Sequence, residues 1–230
     1  MPDELLNTYP DILTYLQARK PKRKINLLFG NGFSMGFDSS IFSYNALSNF
    51  VKDCNDPVVQ KLFKIVGTTS FELIMRNLDM FVQFAQEFAP QVDIVSVIEP
   101  AKSILKTKLL DAITALHPEH VFEVPEEKSL ACANFLKPYL DSKGSIFSTN
   151  YDLLLYWVLM HHHALFGDSM RDGFLRGDSP DLEWESGTQN IYYLHGSLPL
   201  FDLGNRIVKE EYSLDQYLLE HIKRRIDNDQ

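Results

Sequence analysis

The chain has 230 residues, a hydrophobic fraction of 45%, a charged fraction of 23% and a formal net charge of −9. Length and apolar content suffice for a sizeable core and exclude a disordered chain. The acidic balance opposes coating of a nucleic-acid backbone, so direct nucleic-acid binding is not expected.

The pattern of apolar residues predicts an amphipathic helix over residues 4–19, with Leu5, Leu6, Tyr9, Ile12, Leu13 and Leu16 on one face. The basic run Arg19–Lys24 reads as a solvated lead-in to the first strand. That strand, Ile25–Phe29, is expected to be buried and to open a parallel sheet. A helix is expected over about 45–52. The clearest helix runs over 70–88, with Ser70 as N-cap and Pro90 ending it. Another covers about 94–116, with Pro100 kinking it or starting its main part. A third covers 127–141, with Gly144 as terminator. Residues of about 60–140 thus form a helical insertion within a single domain of 1–230. Ser145–Phe147 reads as the second strand, and an apolar helix comes next, from about Leu153 to His163. Gly167–Gly187 is expected to be a long polar loop, either a lid or a plain connection. Asn190–Leu194 is the third strand, and Ser213–Ile226 a C-terminal helix. Strands alternating with helices predict an α/β fold, a Rossmann-like parallel sheet flanked by helices.

Three polar turns each succeed a predicted strand. In an open parallel sheet the carboxyl ends of the strands border the ligand crevice, so the turns would converge there. Gly30-Asn31-Gly32-Phe33-Ser34 brings glycines that let backbone approach a phosphate. Ser148-Thr149-Asn150-Tyr151-Asp152 carries more polar side chains than helix capping requires. Asn150 offers a donor and an acceptor for a ribose hydroxyl or a water, and Asp152 an acceptor. Leu194-His195-Gly196-Ser197 places an imidazole, suited to general-base work near neutral pH, beside a glycine.

Together these turns resemble the sirtuin family, above all its sirtuin-like branch in bacterial antiviral defence. The resemblance spans residues of about 25–200 and is concentrated in the three motifs. It implies that Gly30, Asn31, Gly32, Phe33 and Ser34 meet the NAD+ phosphates. It implies that Thr149, Asn150 and Asp152 serve the nicotinamide ribose, and that His195 is the base, flanked by Gly196 and Ser197. Asn150 and His195 would be the catalytic pair. Sirtuin deacylases carry a four-cysteine zinc module, which Cys54 and Cys132 cannot build. No zinc and no other cofactor is therefore expected, with NAD+ as the substrate. The implied activity is hydrolysis of NAD+ to nicotinamide and ADP-ribose, as an effector of defence by NAD+ depletion. The chain ends soon after the His195 turn, so a sensor subunit, a second copy of the chain, or both, are expected to complete or gate the site. The alternatives are a silent nucleotide-binding regulatory subunit and an ADP-ribosyltransferase.

No signal peptide and no membrane-spanning run is read from the sequence, which makes a cytoplasmic location the expectation. His161-His162-His163 reads as a solvated helix end, since successive helical residues diverge. His117 and His120 read as loop residues that could chelate. Tyr156 and Trp157 are expected in the core. The stripe Phe81, Phe84 and Phe88 reads as helix packing, or as an association surface where exposed.

Overall fold

The computed structural model describes residues 8–43, 49, 56–118, 120, 123–176, 181–187, 189–211 and 217–227. The helix expected over 45–52 lies almost wholly outside them, as do residues 4–7 of the first expected helix and the start of the last one.

Helix α1 (Tyr9–Arg19) begins at Thr8, whose hydroxyl accepts from the Asp11 amide while the Asp11 carboxylate accepts from the Thr8 amide. This capping box satisfies two amides that the helix itself leaves unpaired. The Tyr9 hydroxyl donates to that of Tyr139, 2.9 Å away, and ties α1 to the helix before the second strand.

Strand β1 is Leu27–Phe29. It pairs in parallel with β2 (Ile146–Ser148), which pairs in parallel with β5 (Ile191–Tyr193). The order β1-β2-β5 leaves β1 on an edge. Leu28 is therefore 66% exposed, where the sequence suggested a wholly buried strand. Ile146 and Ile191 are fully covered and mark the centre of the core. Helix α8 (Leu154–His161) is apolar nearly all round, and every residue from Leu154 to Leu159, Tyr156 and Trp157 included, is buried.

Between β1 and β2 lie α2 (Gly32–Phe37), α3 (Ser39–Phe42), α4 (Pro57–Val66), α5 (Phe71–Phe88), α6 (Ile94–Leu116) and α7 (Glu126–Asp141). Asp56, Ser70 and Asp93 cap α4, α5 and α6 through side-chain oxygens. Pro100 sits within the first turns of an unbroken α6. Val59, Phe71, Ile74, Leu78, Leu105 and Ala112 form a core of their own. Ala133, Leu136 and Leu140 of α7 belong instead to the core around the parallel sheet. Helices α4–α6 thus share a core of their own, which α6 joins to the sheet core through Leu110 and Ile113, and α7 flanks the sheet.

Gly144 does not end α7 as a left-handed residue. Lys143 takes that role at φ 59°, and the Gly144 amide reaches back to the Tyr139 carbonyl at 3.0 Å. Glycine is required at 144 because a Cβ there would stand 1.9 Å from the Ile25 carbonyl oxygen.

After α8 come the short helix α9 (His163–Phe166) and a single 3₁₀ turn, Gly167–Ser169. The segment expected to be one long loop contains β3 (Phe174–Arg176) and β4 (Leu182–Trp184). With β6 (Leu200–Asp202) and β7 (Ile207–Lys209) they form a four-stranded antiparallel sheet, ordered β3-β4-β7-β6. Strands of three residues are too short to reveal an alternating pattern. Helix α10 (Leu218–Asp227) completes the described chain. The fold is therefore mixed α/β. Among the described residues no helix is long and apolar enough to cross a membrane.

Candidate active site at the carboxyl edge of the parallel sheet

Phe29, Ser148 and Tyr193 end their strands in one row, because Phe29 is the register partner of Ser148 and Ser148 of Tyr193. The three turns leave the sheet from that row. The Thr149 amide donates to the Phe29 carbonyl at 3.1 Å, and the Leu194 amide to the Ser148 carbonyl at 2.8 Å. The first two turns also touch: a Cβ on Gly30 would lie 2.9 Å from Thr149 Oγ1. Gly30 therefore permits close packing of one turn on the next.

Beneath the turns is a buried polar network. Ser34 Oγ donates to Asp152 Oδ2 at 2.7 Å and accepts from Asn150 Nδ2 at 2.8 Å. Asp152 Oδ1 accepts from the amide of Leu154, the first residue of α8, at 2.9 Å. Ser34 is fully covered, and Asn150 and Asp152 are each 7% exposed. Burial raises the Asp152 carboxyl above its ordinary value of 3.8, opposed by the bonds from Ser34 and Leu154. Ser34, expected at a phosphate, instead joins the first turn to the second from inside.

Asn31, Thr149, Asn150, Asp152 and His195 line one cavity of about 370 Å³. Asn31, which lines the cavity, starts α2 without a side-chain capping bond. His195 is exposed at the rim. The opposite wall comes from helices that the motifs did not include: Ile41 and Phe42 from α3, Ser70 and Glu72 at the start of α5, and His117 just after α6. Ser70 Oγ donates to Glu72 Oε2 at 2.8 Å. The His117 ring packs on Phe42 with centroids 4.7 Å apart, and its Nδ1 is sealed without a hydrogen-bond partner. Burial pushes the His117 pKa down to about 4, so its ring is neutral at physiological pH. Among the described residues, the acidic side chains on the lining are Glu72 and Asp152.

Four of the expected residues face elsewhere. Gly32 and Phe33 line an apolar groove of about 490 Å³ with Phe29, Gly36, Phe37 and Phe135. Cys132 lies in that groove, and burial lifts its thiol to about 11, far from the thiolate range. Gly196 and Ser197 line a third cavity, which shares Tyr151 and His195 with the first. Ser197 Oγ donates to the Tyr151 carbonyl at 3.4 Å and helps hold the third turn on the second.

Of the remaining histidines, His162 Nε2 and Ser129 Oγ are 2.8 Å apart, a partnership in place of the expected solvation. The rings of His161 and His162 stack at 4.7 Å. His120 lies beside Tyr217.

The fold and the site define an α/β protein with a polar cavity at the carboxyl edge of a parallel sheet, walled on its far side by inserted helices. The chain belongs to the DUF4917 family, described as a domain of unknown function, whose model matches residues 27–229. Neither the curated proteins nor the solved structures contain a match to it.

Proposed function

We propose that the chain is a sirtuin-like NAD+ glycohydrolase, cleaving NAD+ to nicotinamide and ADP-ribose. The observation that carries this reading is the shared cavity. Asn31, Thr149, Asn150, Asp152 and His195, from three turns spread over more than half of the chain, line it together. Its volume of about 370 Å³ is at the low end for small-molecule sites, roughly 300–1,000 Å³. That suits the nicotinamide-ribose half of a dinucleotide. The rest of the molecule would leave past Asn31, the residue of the first turn that lines the cavity. The Rossmann-like reading of the sheet fits this placement, with the ligand outside the carboxyl ends of the strands.

The chemistry asks little of an acid. The bond from ribose C1 to the pyridinium nitrogen breaks, and its electron pair neutralises the ring, which leaves as nicotinamide. Water adds to C1 and gives up a proton. Glu72 supplies a carboxylate beside a cationic substrate and an oxocarbenium-like transition state. His195, at the rim, accepts the proton. Asn150 orients the ribose or the water from a fixed position, because Ser34 holds its amide. Asp152 acts through Ser34 and the start of α8, as a positioning residue.

Binding without turnover is the second reading. It is favoured by the cavity lining, which among the described residues has no lysine or arginine and leaves a phosphate to backbone groups. An effector acting by NAD+ depletion would need restraint, hence the expected partner subunit or self-assembly. Nicotinamide release by the purified chain, alone and with products of neighbouring genes, separates the readings. Release that falls by about 100- to 10,000-fold in His195→Ala and Asn150→Ala is the expected result. Saturable NAD+ binding with no release would establish the second reading, and labelled ADP-ribose on a macromolecule would establish a transferase.

A further inference from the structure

The three-turn motif accounts for one wall of the cavity. The facing wall, with Ser70, Glu72 and His117, belongs to the inserted helices and has a donor–acceptor character of its own. His117 Nδ1 is sealed from solvent and unpaired, so Nε2 is the ring nitrogen that an entering molecule can meet. The ring packs on Phe42, with centroids 4.7 Å apart. Burial keeps the imidazole neutral, so it carries one proton. A proton on Nδ1 would leave a sealed donor without an acceptor. A proton on Nε2 leaves only a lone pair unsatisfied, the commoner of the two defects. The wall therefore offers one N–H donor from His117 and one carboxylate acceptor from Glu72. A primary carboxamide has the complementary pair, a carbonyl oxygen and an NH₂.

We propose that His117 and Glu72 form a carboxamide subsite, in which His117 Nε2–H donates to the amide oxygen of a pyridinium nucleotide and the Glu72 carboxylate accepts from its NH₂. The proposal rests on the pyridinium-nucleotide reading of the site and adds a specificity to it. A nicotinate group has no NH₂, and its charge would face the Glu72 carboxylate. A polar site that loses its partner rejects the analogue by more than an apolar pocket rejects a change in size. The helical insertion thereby becomes part of the ligand site.

The test is a nuclear magnetic resonance titration of the ¹⁵N-labelled chain with nicotinamide mononucleotide and, separately, nicotinate mononucleotide. The amide compound is expected to move both the Asn150 side-chain amide and the His117 ring nitrogen resonances. The acid is expected to bind at least about tenfold more weakly, one hydrogen bond or more in affinity. Glu72→Gln should narrow that difference, and His117→Phe should weaken the amide compound about tenfold. Movement at Asn150 with His117 still, or equal binding of amide and acid, overturns the subsite and leaves the nucleotide reading standing. No movement with either compound overturns the nucleotide reading and the subsite with it.

Discussion

Ser34→Ala separates a residue that touches ligand from one that builds the site. Ser34 is fully covered, donates to Asp152 and accepts from Asn150. Alanine fits the space but leaves Asp152 Oδ2 and one Asn150 N–H without this partner. Each buried polar group left unpaired costs about 1–3 kcal/mol, more when charged, and the two effects overlap. A loss of about 2–5 kcal/mol is therefore expected, a large share of a domain's typical ~5–15 kcal/mol. In a chain of this size it lowers Tm by roughly 4–20 °C. Urea unfolding monitored by the fluorescence of buried Trp157 reads the change, with Met35→Ala, next door and 40% exposed, as the control. The variant should also raise the Asp152 pKa further, since the Ser34 bond lowers it. Stability within about 0.5 kcal/mol of the parent would refute the network's role. Lost nucleotide affinity at unchanged stability would return Ser34 to the phosphate contact that the motif suggested.

Gly32→Ala probes the opposite case. A Cβ there meets nothing within 4 Å, so calorimetry should find equal or higher stability, while titration with NAD+ should show weakened binding if backbone at this turn approaches the substrate. His117 makes stability depend on pH. Its folded pKa of about 4 lies below the ordinary 6.5, so its contribution is complete above 6.5 and is lost as pH falls through about 4. The slope is at most ~1.4 kcal/mol per pH unit, and comparing urea midpoints of the parent and His117→Phe from pH 7 to 4 isolates it. Lys209 and Asp172 form an ion pair with side chains 6% and 19% exposed. Lys209→Met should cost about 3–5 kcal/mol in urea unfolding, and adding Asp172→Asn should restore most of it.

How much of this is legible in the sequence depends on the length of each signal. Helices α5 and α6 are legible nearly to the residue, because long apolar periods and the caps Ser70 and Asp93 act locally. The three parallel strands are legible from the turns at their carboxyl ends: each short apolar run stops at a polar, glycine-bearing or Asn/Asp-bearing turn. The antiparallel sheet is not: β3–β4 and β6–β7 are local hairpins whose strands span three residues each, too short for an alternating pattern, and only the β4–β7 pairing joins distant segments. The candidate site divides the same way. Asn31, Thr149, Asn150, Asp152 and His195 stand out through local motifs and share a cavity. Ser34 stands out too, but its interior role does not, because direction depends on the packing of α2 against the second turn. Glu72 and His117 reach the cavity through the tertiary placement of α5 and α6, which no local pattern encodes. Phe81, Phe84 and Phe88 have the spacing of packing residues, yet stand 49%, 60% and 79% exposed. They extend α5 beyond the part that its own core covers.

The most direct measurement of the central claim is a crystal structure of the chain soaked with ADP-ribose. The account predicts the terminal ribose in the cavity between Asn31, Asn150 and His195, with the phosphates over the Gly32 turn. Clear density for the ligand away from that cavity, or an unaltered cavity at saturating ligand, would contradict it.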